Sequence, residues 1–587
     1  MRNRILAAIA ATVTVAALAA PATALSGNAT IGGADDRVTR HTYVRHDGGT
    51  DPTIEICNST VPADYGNRTV NNEPFSVVDP NNPNLIVAGW NDYCSDWMGL
   101  GFSTDGGQTW TNSLVPGYPA DTSTEGKQSP EYIRTNNASD PLGAFDTHGH
   151  FYFGAISYNG FAGPKTNADV WVAKYDVVNP ASNHGYPLDY LGTTRVGKGT
   201  PSANFLGKFL DKPMLEVDRT GGSTDGNVYM CFTKFPGNGR GTIYFAASKN
   251  GGASFSKPIA ISGMLASQGC DIAVEHDGDV HVSWRTFETS SSKKNFGVAA
   301  VRSPNAGATF SKPVMVAQLR GYNPFDGARD CGDGVDECPS GFVFARVPLE
   351  PRLTADPTGV LPGIYSIVQA ADPSTIVPST SSYSSVGAPS ASGLVGQGAI
   401  YIMRSLDDGK TWSAPYRVDG SRVGHQFFPD ADALDGRLAV VWQDSRVDPA
   451  YSVQRPIGNT STATSSGTAV VNTYAAVSTD GTTFGATQRV SSVGMQPQYE
   501  MFDAASVPFL GDYNWIQLVK KADGSLFGYM TWTDNRDVVP GTDPRETTQD
   551  GFDVESGWQL QPDGSYTRQF NLGGYDQNIY GNTISIP

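Results

Sequence analysis

The stretch Ser103-Thr104-Asp105-Gly106-Gly107-Gln108-Thr109-Trp110 decides the fold, because the chain repeats it. The same spacing returns as SKNGGASF over 248–255, SPNAGATF over 303–310 and SLDDGKTW over 405–412. A further copy, STDGTTF over 478–484, is one residue shorter. Each has an Asp or Asn, a Gly two positions later in the full-length copies, a Thr or Ser, and an aromatic. The Asx side chain can accept hydrogen bonds from the following backbone N–H groups, and Gly takes a positive φ at no steric cost. The aromatic then opens the next strand and packs into a sheet. Apolar strand-like segments precede the copies: GTIYFAAS, NFGVAAVRS, GAIYIMRS and NTYAAVS. A turn recurring between strands at this frequency marks a repeat architecture. The lookalike STDG at 223–226 lacks the closing aromatic and is not counted.

These turns resemble the Asp boxes of the sialidase-like (BNR-repeat) β-propeller superfamily, and the likeness runs from about Phe75 to Asp537. The resemblance implies an all-β propeller of four-stranded blades, with the Asp box joining the third and fourth strands on the face away from the ligand. Seven repeat units of about fifty residues are legible, the size four short strands and their turns require. Six blades, the number of the sialidases proper, is the alternative. Four short strands cannot bury both faces alone, so the blades must stack around a common axis.

The chain opens with MRNR, an apolar run from Ile5 to Ala20, and Ala22-Thr23-Ala24. A basic start, an apolar segment and an A-x-A site together predict a secretory signal peptide over residues 1–24. No later segment reaches the length of a membrane span. Residues 25–72 read as a polar lead-in and 73–587 as the propeller. The expected product is a secreted chain, cut after Ala24, with no membrane span, and a monomer.

A net charge of -17 argues against nucleic acid or an anionic membrane as partner, since both want a basic face. The 6 cysteines of an exported chain suit disulfides. Cys331 and Cys338 are close enough to staple one loop; pairings among Cys57, Cys94, Cys231 and Cys270 stay open. Within that loop Asp330, Asp333, Asp336 and Glu337 offer oxygen ligands at a density that suits a structural calcium ion, although the spacing is not that of an EF-hand. No other cofactor is called for.

If Asp boxes join strands three and four, strand alternation places the loops from strand two to three on the opposite face. Those second strands end in GWNDYCSD (89–96), SWRTFE (283–288), VWQDSRVD (441–448) and TWTDNRD (531–537). Asp92, Asp96, Arg285, Glu288, Asp444, Arg446, Asp534 and Arg536 are therefore expected to rim one mouth. Connections between blades add Asp211, Arg346, Asp430, Asp512 and Tyr513. Asp92, Asp96, Glu288, Asp444 and Asp534 are the candidate catalytic carboxylates. Arg285, Arg346, Arg446, Arg536 and Tyr513 are the candidate substrate-binding groups. Carboxylates can protonate a leaving oxygen and meet an oxocarbenium-like charge, and arginines can clamp an acidic sugar bidentately.

The resemblance implies a tyrosine–glutamate nucleophile, an aspartate acid and three arginines on a substrate carboxylate. Phe344-Ala345-Arg346-Val347-Pro348 loosely echoes the family's F-R-I-P motif, mid-chain and one residue longer. Tyr499-Glu500 and Tyr513 are tyrosine candidates by residue type. The pattern W-x-D-x-R occurs twice, ending in Arg446 and Arg536, and a copied pattern favours blade packing over catalysis on one sugar. The leading expectation is a secreted, exo-acting glycoside hydrolase for a terminal sugar of extracellular glycans, acidic sugars included. A non-catalytic carbohydrate- or protein-binding propeller and a uronate-specific polysaccharide lyase are the alternatives.

Overall fold

The repeated motif folds as one hydrogen-bonded device. In the computed structural model, Ser103 Oγ donates to Asp105 Oδ1 (2.7 Å) and accepts from Gly107 N (2.9 Å). Asp105 in turn accepts from Thr109 N (2.9 Å) and Thr109 Oγ1 (2.6 Å). Trp110 closes the turn by donating Nε1–H to Gly107 O (2.9 Å). The Ser–Asx bond recurs at Ser248–Asn250, Ser303–Asn305, Ser405–Asp407 and Ser478–Asp480. Every conserved letter of the motif therefore satisfies a backbone or side-chain group that the tight turn would otherwise leave open.

The glycines do a second job. Gly307 has φ +79°, and a Cβ there would meet Phe245 at 2.1 Å; Gly481 (φ +68°) would meet Tyr365 at 2.1 Å. Gly107 and Gly252 sit likewise on Tyr529 and Tyr152. In each case the ring belongs to the preceding blade. The Asp box is thus a joint between blades as well as a turn within one.

The structure describes residues 29–59, 70–159, 168–200, 208–236, 240–263, 266–287, 296–326, 345, 349–387, 393–420, 423–458, 469–502, 507–539, 552, 554, 558–568 and 576–586. Seven blades surround one axis. Their innermost strands are Asn71–Asp79, Asn137–Phe145, Lys208–Val217, Ser267–Val274, Arg352–Ala355, Gln426–Leu434 and Trp515–Lys520. Each packs on the next, and the last returns to the first. The count is seven, not the alternative six.

The seventh blade is closed by both ends of the chain. Its inner strands Trp515–Lys520 and Leu526–Asp534 continue into Asn578–Ile586, whose outer edge pairs with Thr30–Ile31 and Asp36–Arg37. Part of the polar lead-in therefore belongs to the propeller. Asp35 fixes this closure: its carboxylate accepts from Ser492 N (2.8 Å) and lies 2.8 Å from Arg536. Among the described residues the one α-helix is Pro52–Asn58, capped by Asp51 and tied to blade 1 through Cys57–Cys94.

The two faces differ in loop length. On the Asp-box face the connections are tight turns. The strand-two-to-three connections leave from the opposite face, and in blades 5, 6 and 7 they are long in sequence, running from Ala371 to Gly398, from Asp444 to Asn472 and from Asp534 to Asn578. Long loops on a rigid scaffold are where binding surfaces are built.

Four cysteines form Cys57–Cys94 and Cys231–Cys270, closing loops of 37 and 39 residues. Loop closure of that length stabilises by about 4 kcal/mol per bond. The second bridge joins blades 3 and 4 with both cysteines at most 1% exposed. Mild reductant followed by alkylation and mass spectrometry is expected to label Cys57 and Cys94 first. Equal labelling of both pairs in the folded protein would contradict this burial. The expected Cys331–Cys338 bridge lies outside the described residues.

Candidate functional site

The inner strands begin at the long-loop face, and five of the seven blades enter through a residue with positive φ inside a bulge: Glu73 (+54°), Asp140 (+58°), Lys212 (+49°), Gly269 (+62°) and Phe428 (+50°). Leu349 (+59°) and Gly511 (+78°) take positive φ just ahead of the inner strands of blades 5 and 7, without a bulge. Ladder register shifts fall at Asn72/Phe75, Ser139/Leu142, Asp211/Met214, Gln268/Cys270 and Phe427/Asp430. Four of these residues precede a proline, a position that normally favours extended backbone. Left-handed conformations there are strained and survive only where the surroundings over-determine them.

The over-determination is visible. Asp140 N donates to Asn91 Oδ1 (3.2 Å), Lys212 N to Asp140 Oδ2 (3.1 Å), Gly269 N to Thr233 Oγ1 (3.1 Å) and Phe428 N to Gln369 Oε1 (2.8 Å). Each acceptor comes from the preceding blade. The ring of bulges is therefore held blade by blade, and it aims charged side chains at the axis.

Lys212 is the centre of that ring. Its ammonium pairs with Asp512 from the far side of the axis and lies 5.8 Å from the Tyr513 ring centroid. Arg352 approaches the same ring (5.0 Å) and that of Trp515 (5.6 Å). Burial opposes the charge of Lys212, but Asp512, Glu350, Asp140 and Glu73 overcome it and hold the ammonium protonated. Lys212, Tyr513 and Arg352 make a closed floor, the latter two only 3% and 4% exposed.

Asp211 stands beside this floor, partly open to solvent. Burial, reinforced by the charge of Asp140, pushes its carboxyl up to about 6. Gln268 Nε2 donates to Asp211 Oδ2 (2.9 Å), and Arg285 donates to Gln268 Oε1. Tyr158 lies within reach of the charges of Asp140, Glu73, Asp96 and Asp211, and its phenol is raised by burial first and by those charges next. Asn91 ties Glu73 into the ring with a 3.0 Å bond to Oε2.

Two exposed aromatics flank the mouth on strand-two-to-three loops. Tyr93 is 42% exposed and packs 5.3 Å from Phe502; Phe287 is 39% exposed, with the Arg285 guanidinium 4.8 Å from its ring.

Below the floor lies a small axial cavity of about 70 Å³. Its carboxylates cap the open edges of the inner strands. Asp271 accepts from Leu353 N, Asp430 from Ile516 N and Asp432 from Leu518 N, each at 2.7 Å across a blade boundary. An inner strand is a sheet edge, and these bonds satisfy its unpaired donors. Burial pushes Asp271 up to about 6, Glu216 to about 7 and Asp430 to about 8. The folded chain therefore holds protons that the unfolded chain releases between the ordinary carboxylate range near pH 4 and these values. Stability from these groups is complete below that window and is lost as pH climbs through it. The melting temperature is expected to fall from about pH 5 to about pH 8. A flat or rising profile across that range would count against the buried, neutral carboxyls.

The sequence candidates separate into three groups. Asp96 reaches the rim, and Arg285, Asp211, Asp512 and Tyr513 come together at the mouth or its floor. Asp92, Asp444 and Asp534 occupy one equivalent position in blades 1, 6 and 7 and act on their own loops. They accept from Cys94 N (2.8 Å), Arg446 N (2.7 Å) and Arg536 N (2.8 Å) respectively. Arg446 and Arg536 turn back onto Asp444 and Asp534 and stack on Tyr474 and Tyr580, each 3.9 Å from the ring centroid. Their geometry is that of a brace facing away from the axis. Tyr499 and Glu500 are buried in a satellite cluster with Met501 and Val538. Glu288, Arg346, Asp330, Asp333, Asp336 and Glu337 lie outside the described residues, and the calcium loop with them.

Sequence reasoning missed Glu73, Asp140, Lys212, Glu350 and Arg352. A signal existed: Glu73-Pro74, Asp140-Pro141, Lys212-Pro213, Glu350-Pro351 and Phe428-Pro429 recur in five of the seven blades at the head of an apolar strand.

No family model matches the chain, and no curated protein does. Similar solved structures include a Hadza microbial sialidase, at 14% identity and TM-score 0.36, over 64% of this chain and 64% of that one. The chain thus covers under two thirds of that sialidase. A polysaccharide lyase described as an ulvan lyase is 10% identical with TM-score 0.38, over 86% of this chain and 93% of that one. An α-L-arabinofuranosidase from Fusarium graminearum is 11% identical with TM-score 0.36, over 76% and 92%. Likenesses this distant carry nothing about activity, and the fold rests on the sheets themselves.

Proposed function

We propose that the protein is a carbohydrate-active enzyme, a glycoside hydrolase that takes the terminal sugar of an extracellular glycan at the mouth of the propeller. The observation that carries this reading is the pair Asp211 and Asp140. One carboxyl is raised to about 6, within reach of solvent; the other accepts the Lys212 N–H and sits in the field of its ammonium. A carboxyl that keeps its proton, next to a second one in the field of a cation, suits the division of labour in glycoside cleavage. Asp211, protonated, gives its proton to the leaving glycosidic oxygen. Asp140 stays in place to meet the positive charge that develops on the sugar ring, and a water adds to the anomeric carbon and returns a proton to Asp211.

Gln268 and Arg285 orient Asp211 without touching substrate. The closed floor of Lys212, Tyr513 and Arg352 supports end-on entry, because a glycan cannot thread past it. The buried disulfide between blades 3 and 4 supports a destination outside the reducing cytosol.

The test is direct. Purified protein is incubated with a panel of 4-nitrophenyl glycosides of pentoses, hexoses, hexosamines, uronic acids and sialic acid, and release of nitrophenol is followed. Turnover that disappears in Asp211→Asn supports the reading. Binding of glycans with no cleavage of any glycoside would make the propeller a lectin-like module instead.

A further inference from the structure

We infer that this mouth selects an uncharged or amino sugar and rejects carboxylated and sulfated ones. The inference rests on the hydrolase reading above and names its substrate class. It begins from the charge that faces the sugar. Glu73, Asp96, Asp140, Asp211, Glu350 and Asp512 gather around the bulge ring, and their mutual influence is seen in Tyr158 and Asp211, both raised in part by neighbouring carboxylates. A bound carboxylate would add another like charge to this set.

Among the described residues, the cations at the floor and the mouth that could offset it are committed. Lys212 is paired with Asp512. Arg352 is stacked on Tyr513 and Trp515. Arg285 donates to Gln268 and covers Phe287. Further out on the same face, Lys234 lies over the Tyr244 ring and Arg320 over Phe296. Arg446 and Arg536, which a carboxylate clamp would need, are braced against Asp444 and Asp534. Among the described residues, no arginine group converges on the mouth with its planar donors directed to a ligand.

The second observation is the pair of exposed rings. Tyr93 belongs to blade 1 and Phe287 to blade 4, so they stand on well-separated sides of the opening. Such rings stack on the apolar C–H face of a sugar and need no charge on it. A mouth with aromatic walls and an acidic base also favours a cation, and the oxocarbenium-like transition state is one. The same field that repels a uronate therefore stabilises the sugar in its reacting form.

The experiment uses matched substrates that differ in charge alone: 4-nitrophenyl glucoside, glucosaminide and glucuronide, and galactoside against galacturonide, in both anomers, with a sialoside alongside. The neutral or amino member of a cleaved series is expected to exceed its uronide by ~100-fold in kcat/KM, the effect of one like charge at close range in a partly shielded site. Added salt is expected to shrink that ratio. Asp96→Asn keeps the left-handed backbone and removes one rim charge, and it is expected to narrow the ratio several-fold with the melting temperature unchanged. A uronide or sialoside as the best substrate would overturn the inference while leaving a hydrolase in place. No cleavage of any member would defeat the hydrolase reading, and the selectivity with it. A ratio indifferent to both salt and Asp96→Asn would also overturn the electrostatic argument.

Discussion

Asp211→Asn is expected to lower kcat by ~10²–10⁴-fold while the protein folds and melts as before. The amide keeps the volume of the carboxyl, and its carbonyl oxygen still accepts the bond from Gln268 that now measures 2.9 Å. What it cannot do is give up a proton. Burial and Asp140 hold the wild-type carboxyl at about 6, so the acid form prevails below that pH and fades above it. The alkaline limb of the kcat/KM profile is accordingly expected near pH 6, and it should vanish from whatever residual rate Asp211→Asn retains. If Asp211 merely anchors Gln268, the same substitution would be close to silent in rate, since the anchoring bond survives. A variant at full activity with an unshifted profile would remove Asp211 from the chemistry. Gln268→Ala is the companion: it lets the acid swing and should cost rate without abolishing the limb.

The fold was legible in the sequence because its signal is local and copied. Ser103, Asp105, Gly107 and Thr109 satisfy one another within seven residues, so the turn is written in consecutive letters. Strand alternation then gave the two faces, and with them the placing of Asp211, Asp512 and Tyr513 near the mouth. The site proper was less legible, because its geometry is set by backbone that sequence rules argue against. Glu73, Asp140, Lys212 and Phe428 each precede proline, and the ordinary expectation for such a residue is an extended conformation. For Asp140, Lys212 and Phe428 the left-handed turn is held from the neighbouring blade, by Asn91, Asp140 and Gln369, across separations no local pattern records. Lys212 and Asp512 are 300 residues apart and meet only once the ring has closed. The strand-two ends were readable in part for the same local reason: the copying of W-x-D-x-R pointed to blade packing, although its charges kept Asp444 and Asp534 among the catalytic candidates, and in the structure those charges face each other.

That brace carries the last expected result: Asp444→Asn should destabilise the protein by about 3 kcal/mol, and Asp534→Asn by clearly less. The two aspartates are equivalent in their blades. Both accept the indole N–H of the preceding tryptophan, at 3.0 Å from Trp442 and 2.8 Å from Trp532, and both hold the next loop by a backbone bond. The difference lies in the arginines. Arg446 meets Asp444 at 2.5 Å, and its other recorded partners are the Thr487 hydroxyl (2.9 Å) and the Tyr474 ring. Neutralising Asp444 leaves that guanidinium, 14% exposed, with no carboxylate beside it among the described residues. Removing one member of a buried ion pair is costly because the other charge remains desolvated. Arg536 keeps Asp35 at 2.8 Å when Asp534 is neutralised, so its charge stays compensated. The double change Asp35→Asn with Asp534→Asn should restore the full cost in blade 7. It should exceed the sum of the single changes, since each aspartate covers for the other. It also strikes the closure between the N-terminal strands and Asn578–Ile586, so loss of protection from proteolysis should begin at that seam. Melting curves of the four variants, read beside glycosidase rates per folded molecule, decide the matter. Equal losses of stability at Asp444 and Asp534 would refute the role given to Asp35. A large loss of rate at either, without loss of stability, would return these aspartates to the active site.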